Sequence, residues 1–234
     1  MTIRIFDSGD DLALAVSRQL ASRVQSIQLT DRTPRLVLTG GSIATKIYGR
    51  LSAESGARWS AAHYWWGDER FVPEGHEDRN DRQAREGFLD RLAVPDEHIH
   101  AMPALDGGLE IAEAADAYAA QLPEEPFDVV LLGVGPDAHI ASLFPGHPQV
   151  HELERLAVEV LDSPKPPPER ITLTYPALNH TRATWFVVSG ADKAEAVAKA
   201  LAGTPIDEAP AAGARGIEET MWFLDTAAAS KLPR

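Results

Sequence analysis

The sequence predicts an α/β fold, a mostly parallel sheet with helices on both faces. Short apolar runs alternate with segments of helical period along its 234 residues, the order that parallel strands joined by crossover helices impose. With 44% hydrophobic and 24% charged residues, a chain of this length can bury a core without covalent staples. Strands are expected at residues 3–6, 35–39, 63–66, 99–102, 127–133, 156–161, 185–189 and 221–224. Between the first two, Leu12, Val16, Leu20, Val24 and Ile27 recur at spacings of four and three, which places one apolar stripe on a helix, with Asp10 as its N-cap. A helical pattern over residues 44–51 follows the second strand. Late in the chain Ala194, Val197, Ala198 and Leu201 repeat the helical period until Gly203 and Pro205 stop it. The one biased segment, Ser163-Pro164-Lys165-Pro166-Pro167-Pro168-Glu169-Arg170, reads as an extended connector, and a strand pattern resumes directly after it. Residues 1–234 are therefore read as a single domain.

There is no cysteine, so disulfides, thiolate nucleophiles, cysteine-held zinc and iron–sulfur clusters are excluded, and a reducing compartment is compatible. The longest apolar runs, such as Val129-Val130-Leu131-Leu132, fall far short of the roughly 20 residues that cross a bilayer. Met1-Thr2-Ile3-Arg4-Ile5-Phe6-Asp7 meets charge almost at once and has no signal-peptide core, so a cytoplasmic protein is expected. The 22 basic and 35 acidic residues give a formal charge of −13, which repels nucleic acid and anionic membrane surfaces. Neither is an expected partner. An anionic metabolite would have to be held by a few local donors that outweigh the global field.

Three turns carry candidate chemistry. Leu36-Val37-Leu38-Thr39-Gly40-Gly41-Ser42 runs a strand into a double glycine ahead of a helix. Backbone N–H groups and the positive end of a helix dipole suit a phosphate there, and the same pattern suits a plain tight turn. Gly133-Val134-Gly135-Pro136-Asp137-Ala138-His139 follows the most apolar strand. It lacks the third glycine of a dinucleotide fingerprint, which sets NAD aside, and it puts a histidine at a strand's carboxyl end, where open α/β sheets form their ligand crevice. An imidazole there can take a proton from water near neutral pH, or be merely solvated or capping. Trp65-Trp66-Gly67-Asp68-Glu69-Arg70 clusters charge after two tryptophans; Arg70 could clamp a phosphate or polarise a carbonyl, or the segment could be a solvated acidic turn.

Two cations complete the set. Arg170 precedes Ile171-Thr172-Leu173-Thr174, and Lys193 sits in the first turn of an expected helix, where it opposes the macrodipole and an anionic ligand would offset the conflict. His98 and His100 would share one strand face, but with no third ligand near them no metal site is expected. His147 belongs either to the crevice rim or to solvent.

Together, Leu38-Thr39-Gly40-Gly41-Ser42, Gly67-Asp68-Glu69-Arg70, the stretch from Gly133 through His139-Ile140-Ala141-Ser142-Leu143-Phe144-Pro145-Gly146, Arg170-Ile171-Thr172-Leu173-Thr174 and Ser189-Gly190-Ala191-Asp192-Lys193 resemble the 6-phosphogluconolactonases of the glucosamine-6-phosphate isomerase/6-phosphogluconolactonase family. The resemblance spans nearly the whole chain in the same order. It implies a modified Rossmann-like fold and hydrolysis of 6-phospho-D-glucono-1,5-lactone to 6-phospho-D-gluconate in the oxidative pentose phosphate pathway, without metal or organic cofactor. Two positions depart from the family's pattern. Ile43-Ala44 stands where Thr-Pro usually follows the serine, so Thr45 or backbone N–H groups are expected to substitute for a hydroxyl donor; Ala138 stands where the family has glycine, so a small adjustment of the turn is expected.

A δ-lactone is an activated ester whose hydrolysis needs a positioned water, a base and charge stabilisation on the carbonyl oxygen. The resemblance makes His139 the base, with Asp137 orienting it or shaping the turn and Arg70 polarising the carbonyl or holding phosphate. Gly40, Gly41, Ser42, Asp68, Arg70, Gly135, His139, Arg170 and Lys193 would contact substrate. The expected partner is this small phosphorylated sugar lactone, bound by a monomer or homodimer. Two alternatives stand beside this reading. A glucosamine-6-phosphate deaminase-like isomerase would have a glutamate where Phe144 stands, and a sugar-phosphate-sensing domain would bind without turnover.

Overall fold

The computed structural model describes residues 1–233. Its main sheet holds six parallel strands in the order β1 (Thr2–Phe6), β9 (Glu219–Asp225), β8 (Thr181–Val188), β5 (Phe127–Leu132), β2 (Arg35–Leu38) and β3 (His63–Trp66). A second sheet is antiparallel, in the order β4 (Asp68–Arg70), β7 (Arg170–Leu173) and β6 (Ala157–Val160). The mostly parallel α/β architecture expected from the sequence is what the chain adopts.

The period of two along each inner strand sends alternate side chains into two different cores. Leu36, Leu38, Val129, Leu131, Trp185 and Val187 face one side, packed against helices α1 (Gly9–Gln28) and α2 (Ser42–Leu51). Val37, Val130, Leu132, Phe186 and Val188 face the other, covered by α4 (Ile111–Ala119), α6 (Ala194–Leu201) and the smaller sheet. Both faces of the inner strands are therefore dry, as is usual for parallel sheets, while the edge strand β1 is largely exposed.

The stripe on α1 is buried along its length, from Leu12 to Ile27. Its N-cap is Ser8, not Asp10: the Ser8 hydroxyl accepts from the Asp11 backbone N–H at 3.2 Å, and Asp10 and Asp11 lie inside the first turn, where carboxylates favour the dipole. The strand expected at 99–102 reduces to one parallel bridge between Ile99 and Tyr64, with the His100 N–H bonded to the Tyr64 carbonyl at 2.9 Å. Pro103 follows within three residues and cannot donate to a ladder. The strand expected from residue 185 begins at Thr181, because Thr181 and Thr184 are fully buried between β5 and β9 although neither is apolar.

The acidic segment after Trp66 is no solvated turn. Asp68, Glu69 and Arg70 form β4, with Asp68 and Glu69 buried. Glu69 accepts from the backbone N–H groups of Arg70, Asn80 and Asp81 at 2.7–2.9 Å, so its carboxylate ties β4 to the start of helix α3 (Asn80–Ala84).

Candidate active site

Adjacent strands β8, β5 and β2 end side by side, and their carboxyl ends open into a cleft of about 350 Å³. Thr39, Gly40 and Gly41 follow β2, Gly133, Val134 and Gly135 follow β5, and Val188 ends β8 with Ser189 directly after it. This is the end of the sheet at which open α/β folds bind ligands. The cleft also takes in His139, Arg70, Lys165, Arg170 and Lys193, so the cations picked out by the sequence do converge with the histidine.

The turn after β5 builds an acid–base pair. The Gly135 N–H donates to the His139 carbonyl and the Ala138 N–H to the Gly135 carbonyl, both at 2.9 Å, which folds His139 back over Gly135. A Cβ at Gly135 would run into the imidazole and the Asp137 carboxylate, so only glycine permits the approach. Nδ1 of His139 lies 2.5 Å from Oδ1 of Asp137. A carboxylate can only accept, so Nδ1 carries a proton, and in the neutral imidazole the lone pair is on Nε2. Partial burial works against the charged form of Asp137, but the bond from His139, the charge of the imidazole when it is protonated and that of Lys165 together hold the carboxyl well below the usual carboxylate range. Behind the imidazole, the fully buried Phe144 ring packs at 4.7 Å between centroids.

On the opposite wall, the double glycine leads into α2. Gly41 has φ +101°, a backbone state that favours glycine, and its N–H donates to the Gln83 side chain at 2.9 Å. The N–H groups of Ser42 and Ile43 occupy the first turn of α2, where a helix has no internal acceptors for them. They line the cleft and suit a phosphate.

The four cations are held differently. Arg70 donates through Nη1 to the Asp78 carbonyl at 2.9 Å and to the Asn80 side-chain oxygen; among the described residues Nη2 makes no hydrogen bond. Asn80 in turn donates to the Asp68 carbonyl at 2.8 Å. Asp68 accepts from the Ser142 hydroxyl at 2.7 Å and lies 3.9 Å from Nη1 of Arg170. Arg170 is buried and donates through Nε and Nη2 to the carbonyls of Pro167, Lys165 and Pro166 at 3.1–3.4 Å, so it braces the proline-rich loop. Lys193 ends a short turn of 3-10 helix immediately before α6, and Asp192 meets its Nζ at 3.0 Å, relieving the conflict with the helix dipole. Asp225 anchors that turn by accepting from the Ser189 hydroxyl at 2.5 Å and the Gly190 N–H at 3.1 Å.

Lys165 is the site residue that sequence reasoning passed over. Its Nζ lies 3.3 Å from Nδ1 of His139 and 3.7 Å from Oδ1 of Asp137. The available signal was a single lysine in a run of four prolines, a rigid segment that can hold a side chain at one address. Asn80 and Gln83, which organise Arg70 and the double-glycine turn, carried no motif at all. His147 packs against Phe144 at 5.6 Å between ring centroids and does not line the cleft. His98 and His100 do have a third histidine beside them, contrary to expectation: His63 stacks on His100, with Nδ1 2.9 Å from Nε2 of His100, and lies tilted against His98. Among the described residues no group of three ligand side chains is set to hold a metal ion.

A family model described as glucosamine-6-phosphate isomerases/6-phosphogluconolactonase matches residues 7–222. The chain belongs to that family. It is 46% identical to a 6-phosphogluconolactonase of Streptomyces coelicolor, with 95% of this chain and 91% of the relative covered. It is 43% identical to one of Mycobacterium leprae, with coverage of 99% and 98%. Among solved structures, a 6-phosphogluconolactonase from Thermotoga maritima superposes with a TM-score of 0.85 at 26% identity, covering 96% of this chain and 99% of that one. One from Trypanosoma brucei gives 0.84 at 27% identity, covering 99% and 98%.

Both departures from the family's pattern can be followed in space. Ala138 takes φ +68° with its methyl buried, so the turn keeps the left-handed geometry a glycine would adopt and bears the strain of a Cβ there. The Thr45 hydroxyl donates to the Gly41 carbonyl at 3.1 Å and does not line the cleft. Thr45 therefore does not replace the absent hydroxyl, and the donors on that wall are backbone N–H groups and Ser42.

Proposed function

We propose that this chain hydrolyses 6-phospho-D-glucono-1,5-lactone to 6-phospho-D-gluconate, as a carboxylic ester hydrolase of the oxidative pentose phosphate pathway. The observation that carries the reading is the Asp137–His139 pair, bonded through Nδ1, set among four cations in one cleft. The family membership and the names of the relatives above support the same substrate.

His139 Nε2 takes a proton from a water as the water oxygen bonds to the lactone carbonyl carbon. Asp137 holds the imidazole in the required tautomer and stabilises the imidazolium. Collapse of the tetrahedral intermediate breaks the bond to the ring oxygen, and the imidazolium returns its proton to that oxygen. General acid–base assistance of this kind is worth roughly 10²–10⁴-fold. The double-glycine turn with Ser42, Arg70 and Lys193 holds the phosphate, which orients the lactone through contacts remote from the reacting bond. Asp68 and Gly135 shape the site, and Arg170 completes it from the start of β7.

The deaminase reading is disfavoured by Phe144, whose ring packs against His139 where ring opening would call for a carboxylate partner. No helix of the described residues is long and apolar enough to cross a membrane. We read residues 1–234 as one catalytic domain acting on a small molecule in the cytoplasm, supported by a main sheet whose strands run from residue 2 to residue 225. The test is to mix freshly generated lactone with the purified protein and follow its decay against a blank. Decay faster than the blank is expected, whereas tight phosphosugar binding with decay equal to the blank would favour a sensor.

A further inference from the structure

The reaction read above needs a positive charge where the lactone carbonyl oxygen takes up electrons, and the cleft offers four candidates. Arg170 has Nε and Nη2 occupied by loop carbonyls. Arg70 is fixed through Asp78 and Asn80, against the double-glycine wall. Lys193 is paired with Asp192 beyond the end of β8. Lys165 alone stands against the base, 3.3 Å from His139 Nδ1.

Because Nδ1 donates to Asp137, it has no lone pair in the ring plane to offer Lys165. The Lys165 N–H groups are thus directed to Asp137, 3.7 Å away, and to the cleft, which the side chain enters with 40% of its surface exposed. The backbone beneath it is not free to drift. Arg170 holds the Lys165 carbonyl at 3.1 Å, and the Ser163 hydroxyl accepts from the Lys165 N–H at 3.2 Å and donates to its carbonyl at 2.9 Å. An ammonium carried on a braced backbone, with Asp137 as its one carboxylate partner at 3.7 Å, is placed to receive an anion.

We propose that Lys165 is the catalytic residue that stabilises the negative charge on the lactone carbonyl oxygen during attack by the water that His139 activates. This assignment rests on the lactonase reading. As the water oxygen bonds to the carbonyl carbon, the C=O electron pair moves to the oxygen facing Lys165, and it returns when the bond to the ring oxygen breaks. Lys165 neither gains nor loses a proton; the ring oxygen receives the one carried by His139. Burial, then repulsion from Lys193 and Arg170, pulls the Lys165 ammonium below its ordinary value against the opposing pull of Asp137, so an arriving anion relieves an existing cost.

The experiment compares wild type with Lys165→Met, Lys165→Arg and Lys193→Met, measuring kcat and KM on the phosphorylated lactone across pH with the blank subtracted. Competitive inhibition by inorganic phosphate and the melting temperature are measured alongside. For Lys165→Met the expected result is a kcat lower by about 10²–10³-fold, with KM and the phosphate inhibition constant within about threefold of wild type. Lys165→Arg should recover part of the rate, and Lys193→Met should weaken phosphate inhibition instead. An unchanged kcat overturns the assignment. So does a loss confined to KM with weakened phosphate inhibition, which would move Lys165 to the phosphate subsite. So does recovery of full kcat at alkaline pH, which would make Lys165 a regulator of His139 protonation. A wild-type chain no faster than the blank overturns the lactonase reading itself and removes the assignment with it.

Discussion

Oδ1 of Asp137 lies 2.5 Å from Nδ1 of His139, and this contact decides which imidazole nitrogen is left to act on water. An amide in place of the carboxylate can donate to Nδ1 and stabilise the opposite tautomer, with the proton on Nε2. Asp137→Asn is therefore expected to lower kcat by about 10²–10⁴-fold with KM little changed. Steady-state kinetics on fresh lactone checks this, and an Asn variant with wild-type kcat would leave Asp137 as no more than a turn residue.

The same turn makes two opposite predictions about a methyl group. Gly135→Ala drives a Cβ into the His139 ring and should lower kcat by about 10²-fold through misplacement of the base. Ala138→Gly removes a Cβ from a residue at φ +68°, gaining about 1 kcal/mol of backbone relief and losing about 0.8 kcal/mol of methyl burial. Denaturant melting of Ala138→Gly should thus coincide with wild type to within about 0.5 kcal/mol, and its kcat should be unchanged.

Arg170 is 4% exposed and braces three consecutive carbonyls of the loop that carries Lys165. Arg170→Ala leaves those carbonyls and Asp68 without their buried partner, so a loss of stability of about 3 kcal/mol is expected, together with a fall in kcat. A variant that melts like wild type and changes only KM would mean that Arg170 binds substrate and braces nothing.

Stability should fall with acid in a window set by His63. Burial first, then the charges of His98, His100 and Arg35 against the opposing Glu97, push this imidazole from 6.5 down to about 4. Between those values the unfolded chain binds a proton that the folded chain refuses, so the stabilisation is complete above about pH 6.5 and is lost as pH falls toward 4. His63→Phe keeps a ring to stack on Trp65 and cannot titrate. Its melting temperature should decline less than that of wild type over the same range, and an identical decline would place the acid sensitivity elsewhere.

Apart from the exposed edge strand β1, the strands that could be read from the sequence are mainly those with apolar burial on both faces. Residues 127–132 are buried throughout, and their run of Val, Leu and Phe announces it. β4 was hidden because Asp68 and Glu69 look like solvent-facing charge. They are buried because residues about 12 positions later supply the hydrogen bonds, and no local window contains that pairing. His139 and the double glycine were legible because each follows a readable strand, and Arg70 because it comes soon after the end of β3 at Trp66. Lys165 lies on a loop with no periodicity, and only the tertiary brace from Arg170 brings it to the base. Ser8 displaced Asp10 as the cap of α1 by two positions, a shift that the spacing of the apolar stripe cannot resolve.

The most direct measurement compares wild type, His139→Ala and a protein-free blank on freshly generated 6-phosphogluconolactone. Wild type should consume the lactone well above the blank, and His139→Ala should lose about 10²–10⁴-fold in kcat with a modest change in KM. Equal blank-corrected rates for wild type and His139→Ala would contradict the assignment of His139 as the base.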